Sequence, residues 1–394
     1  MKEKKIIATH HAPDLDAVAS IWLWRQYGEK KQKDAALLYL TGGDEALNQY
    51  MGITYLDRGR GEFDHHGRSN KSGETTTSLV AKKLGVADDK AIQRLFTKVQ
   101  KSDLQGESLA FDASDVIKCM QRLGVPNEEI MELGIRIVNF CVEFSKKKMT
   151  RNNQRVQQII KEFLANKQII PPKFQAYLDS LGNPKFERPF DLVEIQAVEG
   201  ENANDFLLKL LDYEYRDSIN YLNALLEIRK AWESRVKGTV IVAGFSDNPR
   251  FKDAARNDQK ALITIQRRTN GQTGIYFDTD RIDDALIETL VVMIRLEECL
   301  IQGREVPKAD LRQPEYVEGI PEWYYYKAPW IPGKKKKPGR FILNGSITAP
   351  DVPVSKIPLD VLRYIAEKAI IYQPFNWVRW QTERLAYYAN RKAA

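Results

Sequence analysis

Histidine is scarce in this chain, with four among 394 residues. The four form two adjacent pairs, His10–His11 in ATHHAPDLDAVAS and His65–His66 in FDHHGRSN. Nothing beyond His66 offers an imidazole to chemistry. Cysteine is as scarce. Cys119, Cys141 and Cys299 are odd in number, widely spaced and set in helical-looking text. That excludes a disulfide frame and a thiolate zinc knuckle, and reads as buried free thiols in a reducing cytoplasm. Long apolar runs are missing too. None approaches the roughly 18 residues of a membrane span, so no membrane role is expected. The apolar stretch after MKEKK is cut short by His and Asp, which makes a poor signal peptide. A cytoplasmic protein is the expectation. No Ser or Cys stands in a nucleophile signature, and the only histidines available as a base lie in the two pairs.

What is present is ordinary in bulk: 43% apolar and 29% charged residues, the composition of a globular protein. The length allows two or three domains. The net charge of +7 is unevenly placed. The last 94 residues hold 16 Lys and Arg against 9 Asp and Glu, which accounts for the whole excess. Four of the seven tryptophans lie there too: Trp323, Trp330, Trp377 and Trp380. A basic, aromatic region suits a polyanion with stackable bases. It also matches a solvated surface over an aromatic core.

Strand and helix patterns alternate over the first 110 residues. KKIIATH, AALLYLTGG and ITYLDRG read as strands. HAPDLDAVASIWLWRQYG, GETTTSLVAKKLG and DKAIQRLFTKVQKSDLQG read as helices, the threonine run capping the second. Such alternation predicts an α/β fold with a Rossmann-like parallel sheet, whose reactive groups gather at the carboxyl ends of its strands. Three domains are expected. Residues 1–125 hold the sheet, 126–235 form a helical connector, and 236–394 form a smaller α/β domain with a basic aromatic loop. In the connector, IIPPKFQAYLDSLGNPKFERP is broken by prolines and reads as irregular. The long helix there is expected to run through AWESRV. In the last domain, ALITIQRR and TGIYFD form a hairpin whose Asn270–Gly271 predicts a type I′ turn. PEWYYYKAPWIPGKKKKPGR, residues 321–340, reads as a loop.

The histidine pairs sit among aspartates. His10, Asp14 and Asp16 have the spacing H-x3-D-x-D, directly after a strand and entering a helix. Asp57 ends a strand of the same type, and Asp64, His65 and His66 follow a short glycine-rich turn. Asp103 comes late in a helix. A lone aspartate at a helix start is usually a cap, but these motifs together hold every histidine of the chain. Imidazole with several carboxylates is a ligand set for Mn2+ or Mg2+ rather than for thiolate-bound zinc. About six such ligands suit two metals roughly 3.5–4 Å apart, sharing a carboxylate and a hydroxide.

THHAPDLDA followed by DHHG resembles the DHH phosphoesterase superfamily, which includes RecJ-type exonucleases, oligoribonucleases, cyclic-dinucleotide phosphodiesterases and the related manganese pyrophosphatases. The resemblance covers residues 6–106 and makes 1–125 a DHH-type catalytic domain. It implies that His10 and Asp14 bind one metal, that Asp16, His65 and Asp103 bind the other, and that Asp57 bridges them. Asp64 would orient a histidine ligand, and His66 would face the scissile phosphate. For the place of Asp103, Asp112 and Asp115 are competitors. His11 is either packing or support for a ligand. The implied reaction is hydrolysis of a phosphodiester by a hydroxide held between two divalent cations, Mn2+ before Mg2+, with Asp57 and His66 as its catalytic residues. Arg58, Arg60 and Arg68 lie near in sequence. They bind phosphate, pair with local acids or face solvent.

Many members of the family grip substrate with a second-domain GGGH motif, which this chain lacks. Candidate substitutes are Arg267 and Arg268, the 323–340 loop with Tyr324, Tyr325 and Tyr326, and the turn Asn344–Gly345–Ser346, whose N–H groups could cradle a phosphate. The leading expectation is a phosphodiesterase acting on nucleic acid or short oligonucleotides, with an exonuclease in front. The alternatives are a hydrolase of pyrophosphate, a nucleotide or a cyclic dinucleotide, and a non-catalytic scaffold.

Overall fold

A computed structural model describes residues 5–41, 52–57, 61–65, 73–183, 185–327, 339–346, 351–372 and 376–393. The chain forms two compact units that divide between Leu222 and Asn223.

In the first unit, β1 (Ile6–His10), β2 (Ala36–Leu40) and β3 (Ile53–Tyr55) pair in parallel in the order β2-β1-β3. The central strand buries Ile7, Ala8 and Thr9 in succession, as a strand covered on both faces does. Between β1 and β2 run α1 (Leu15–Tyr27) and the short α2 (Lys30–Lys33). Every residue of α1 from Leu15 to Trp24 is buried, so this helix lies inside the core rather than on it. After β3 come α3 (Thr76–Lys83) and α4 (Lys90–Asp103). Asp14 caps α1, Asp89 caps α4, and Thr75 caps α3 in a reciprocal pair with Ser78, each satisfying N–H groups that a helix start leaves open.

The rest of the unit is helical: α5 (Ala113–Arg122), α6 (Asn127–Lys146), α7 (Asn153–Leu164), α8 (Pro172–Leu181), α9 (Leu192–Glu199) and α10 (Asn204–Ile228), whose residues from Asn223 onward belong to the second unit. Where the sequence places boundaries at 125 and 235, these helices share one hydrophobic cluster with β1 and α1, through Ile117, Ile137, Val138, Ile160, Phe174 and Leu210. α8 corrects the expectation of irregular chain. Its prolines stand at the cap and first position, where a missing N–H costs nothing and a fixed φ suits the helix.

The second unit is a seven-stranded sheet of order β4-β5-β6-β7-β10-β9-β8. Its elements are β4 (Trp232–Val236), β5 (Thr239–Phe245), α11 (Phe251–Asn257), β6 (Ile263–Arg267), β7 (Thr273–Phe277), α12 (Asp284–Ile301), β8 (Glu315–Val317), β9 (Ile320–Lys327), β10 (Arg340–Asn344), α13 (Leu359–Ile371) and α14 (Trp377–Ala393). β5 and β6 are parallel, and the other pairs are antiparallel. Ile241, Ile263, Ile275, Tyr325 and Ile342 of the sheet share a core with Leu290 and Ile294 of α12 and Ile365 of α13.

Three expectations are corrected here. AWESRV is not helix but the edge strand β4, with the alternating burial of a strand covered on one face. The first part of the expected 321–340 loop is β9, which buries Trp323 and Tyr325 between the half-exposed Tyr324 and Tyr326. Trp330 and Lys334 to Lys337 lie outside the described residues. In the β6–β7 hairpin, Gly271 N–H donates to Arg268 O at 2.9 Å and Arg268 N–H to Gln272 O at 2.8 Å. Gly271 is left-handed at φ +85 while Asn270 is not. That is a three-residue loop with a glycine bulge, not the two-residue I′ turn.

Candidate metal centre

The parallel sheet brings the chain's polar motifs to one edge. His10 is the last residue of β1, and Asp57 follows β3. Asp14 and Asp16 stand at the start of α1, and Asp103 at the end of α4. The turn between β1 and α1 is tied down from outside. Ala12, left-handed at φ +57, donates its N–H to Asn127 Oδ1 at 2.9 Å. Gln121 Nε2 donates to the carbonyls of Ala12 and Pro13, each at 2.9 Å. Asp57 is also left-handed, at φ +59. Such strain in a non-glycine residue survives only where the surroundings impose it, and it concentrates at functional sites.

The six residues expected to be ligands converge. His10 Nε2 lies 3.3 Å from Asp57 Oδ2 and 3.8 Å from Asp14 Oδ1. His65 Nδ1 lies 3.1 Å from Asp57 Oδ1 and 3.4 Å from Asp16 Oδ2, and its Nε2 lies 3.1 Å from Asp103 Oδ2. Two groups therefore form with their ligand atoms within 4.8 Å of one another: His10, Asp14, Asp57, and Asp16, Asp57, His65. Asp57 belongs to both. Its two carboxylate oxygens face different histidines.

The competitors of Asp103 are held elsewhere. Asp112 caps α5 and pairs with buried Lys98, and Asp115 pairs with Lys173 at 2.7 Å. His10 Nδ1 lies 3.0 Å from the carbonyl of His11. A carbonyl only accepts, so Nδ1 carries the hydrogen and Nε2 is left to face the carboxylates. The His11 Nδ1 is buried without a hydrogen-bond partner among the described residues. His66, Arg58, Arg60 and Arg68 lie outside the described residues, and Asp64 is half-buried beside the site.

Thr76 and Thr77 were not singled out by sequence, beyond membership of a capping run. Asp16 accepts the N–H groups of Thr76 at 2.8 Å and Thr77 at 2.7 Å, and the Thr77 hydroxyl at 2.5 Å. The Thr76 hydroxyl lies 3.1 Å from Asp57 Oδ1 and 3.3 Å from His65 Nδ1. The positive end of α3 thus faces a buried carboxylate.

Asp16, Asp57 and His65 are 5% exposed or less. Among the described residues, Asp14, Asp16 and Asp103 have only histidines as cationic partners. Burial and the charges of Asp57 and Asp103 push the Asp16 carboxyl well up. Burial, opposed by His65, also raises Asp103. For Asp14, the His10 contact overcomes burial and lowers the carboxyl. Burial works against a charged His10 or His65, but contact with the aspartates prevails. His10 rises well above its ordinary value, and His65 rises to about 11. The buried Asp103 Oδ2 lies close to His65 but accepts no well-aligned hydrogen bond among the described residues. Four carboxylates and two imidazoles of this kind fit divalent cations.

Of the other candidates, Arg268, Gly345 and Ser346 line one pocket in the second unit. Arg267 does not join them: its Nε donates to Thr273 Oγ1 at 3.0 Å. Asn344 is fully buried and structural, donating to the carbonyls of Glu322 and Pro353 and accepting from Ser355 N–H.

No family model matches the sequence, and no curated protein does. Solved structures do share likeness. They include RecJ from Thermus thermophilus, in complex with Mg2+, at TM-score 0.41 and 10% identity, over 93% of this chain and 50% of that one. This chain thus spans half of that RecJ chain. CDC45 from Entamoeba histolytica matches at TM-score 0.37 and 9% identity, over 94% of this chain and 96% of that one. An uncharacterized protein from Helicobacter pylori matches at TM-score 0.25 and 11% identity, over 73% and 89%. The functional reading rests on this chain's own residues.

Proposed function

We propose that the first unit is a divalent-metal phosphoesterase that hydrolyses phosphodiester bonds of nucleic acid or short oligonucleotides, as an exonuclease. The observation that carries the reading is Asp57: one buried carboxylate shared by two ligand groups, each holding a histidine and a further aspartate. His10 and Asp14 would hold one cation, Asp16, His65 and Asp103 the other, with Asp57 common to both. Imidazole in both sets favours Mn2+ over Mg2+. When bound, such a pair supplies a water acidic enough to ionise near neutral pH and neutralises phosphate oxygens.

The chain's own residues supply the frame. Thr76 and Thr77 hold the Asp16 carboxylate. The His11 carbonyl sets which nitrogen His10 presents. His66 is assigned to the phosphoryl oxygens, where a positioned donor favours the transition state. Asp64 is assigned to orienting a histidine. The test is hydrolysis with Mn2+ by the wild type and Asp57→Asn, on 5′-labelled RNA and DNA, cyclic dinucleotides and pyrophosphate. Stepwise shortening of an oligonucleotide, abolished in Asp57→Asn, is expected. Cleavage of pyrophosphate or cyclic dinucleotides alone moves the reading to a small-molecule hydrolase. Two metals bound without any cleavage place the substrate outside this panel, and absence of metal binding favours the scaffold.

A further inference from the structure

The second unit carries a pocket that the metal chemistry does not use. It is an open pocket of about 200 Å³, lined by Lys252, Arg268, Gly274, Tyr276, Phe341 and Gly345, among others. Tyr276 and Phe341 alternate with the core residues Ile275 and Ile342, so the pocket lies on the sheet face opposite that core.

Phe341 pairs in register with Tyr276 of β7 on one side and Tyr326 of β9 on the other. Its ring stacks on Tyr326, with centroids 4.5 Å apart and planes 12° from parallel. A ring stacked on a ring of the next strand has its normal along the line between strands. The second face of Phe341 is therefore turned toward β7 and the pocket. Tyr276 lies along its own strand over Gly274, where an added Cβ would come within 2.4 Å of the tyrosine oxygen. Lys252 Nζ stands 4.7 Å from the Tyr276 ring centroid, and the half-buried Arg268 reaches the pocket from the hairpin.

We propose that this pocket binds one nucleotide, its base stacked on the second face of Phe341 and its phosphate held by Lys252 and Arg268. A base would extend a stack two rings long, and every base has a face to offer. Two cations in one lining match a phosphate. The volume is below the roughly 300–1,000 Å³ of sites that enclose a drug-sized ligand, so the pocket would seat the base and phosphate of one nucleotide at an open surface rather than enclose the whole molecule. As a specificity element the pocket rests on the phosphoesterase reading. As a binding site it does not.

The test measures binding of AMP, ribose 5-phosphate and inorganic phosphate to the full chain in EDTA, by calorimetry. Wild type is compared with Phe341→Leu, which keeps apolar volume but removes the stack, and with Arg268→Gln. Thermal melts check that both variants fold. The expected result is a loss of AMP affinity of roughly tenfold in Phe341→Leu, with ribose 5-phosphate binding unchanged in that variant. Arg268→Gln should weaken AMP and ribose 5-phosphate alike. AMP binding that is absent, that ignores Phe341→Leu, or that is no tighter than that of ribose 5-phosphate overturns the proposal. Hydrolysis is assayed separately with Mn2+. AMP binding kept without hydrolysis rejects the phosphoesterase reading alone.

Discussion

Asp16 illustrates what one side chain needs in order to serve as a buried ligand. It sits 1% exposed, near other carboxylates, and is held by three donors from the start of α3. Thr77 provides two of those donors, so Thr77→Val removes the shorter contact and leaves the helix intact. Loss of a partner that orients a ligand costs about 10–100-fold in metal affinity. Titration of the variant with Mn2+ should show a loss in that range with an unchanged melting temperature in EDTA. Equal affinities would mean that the Thr77 hydroxyl does not position Asp16 for a metal. At this scale the histidines and aspartates were legible because they were rare and clustered. Thr76 and Thr77 were not. A threonine at a helix start reads as a cap, and Thr75 does cap α3. Nothing in the run tells which threonines turn toward a carboxylate some 60 residues away in sequence.

Among the elements, the periodic ones were legible and those with prolines or mixed patterns were not. β9 read as loop because Pro321 and Pro329 stand close to its two ends in sequence, yet its alternation of buried Trp323 and Tyr325 with outer tyrosines is that of a strand. α8 read as irregular for the same reason. The helix that follows it, α9, makes a prediction about pH. Its cap, Asp191, is 1% exposed, accepts Val193 N–H at 3.0 Å and lies 3.3 Å from Arg151. Burial, opposed by Arg151 and reinforced by Glu194, pushes this carboxyl up to about 7. The folded protein thus keeps a proton that the unfolded chain releases near pH 4. The group's stabilisation is complete below about pH 4 and is lost as pH rises through about 7, at no more than about 1.4 kcal/mol per unit. Asp191→Asn still caps the helix but cannot titrate. Urea midpoints at roughly pH 4.5, 6 and 7.5, which span that window, should show wild type losing ground to the variant as pH rises. A gap that moves the other way would refute the assignment.

For the whole molecule, the α/β class was legible because strand and helix periods differ. The grouping of helices was harder to see. Residues 126–235 read as a connector because their pattern is mostly helical. Yet Ile137 and Phe174 share a cluster with Ile7 of β1, and a helix's apolar stripe does not name its partner. Charge was visible at this scale from the start, with the net excess confined to the last 94 residues. If that excess serves a polyanion, single-stranded oligonucleotide binding should weaken as salt rises. Each phosphate contact contributes a slope of about −0.7 in log K against log salt. A slope of about −2 or steeper is expected from anisotropy titrations between roughly 50 and 300 mM salt. A flat line would place the basic surface outside the function.

The central claim is a pair of divalent cations sharing Asp57. Its most direct measurement is the Mn2+ content and binding stoichiometry of wild type and Asp57→Asn, by elemental analysis and calorimetry. The account predicts two ions per chain in the wild type and loss of at least about a hundredfold in affinity at both sites in the variant. Absence of Mn2+ and Mg2+ binding, or an Asp57→Asn protein that binds as the wild type does, would contradict it.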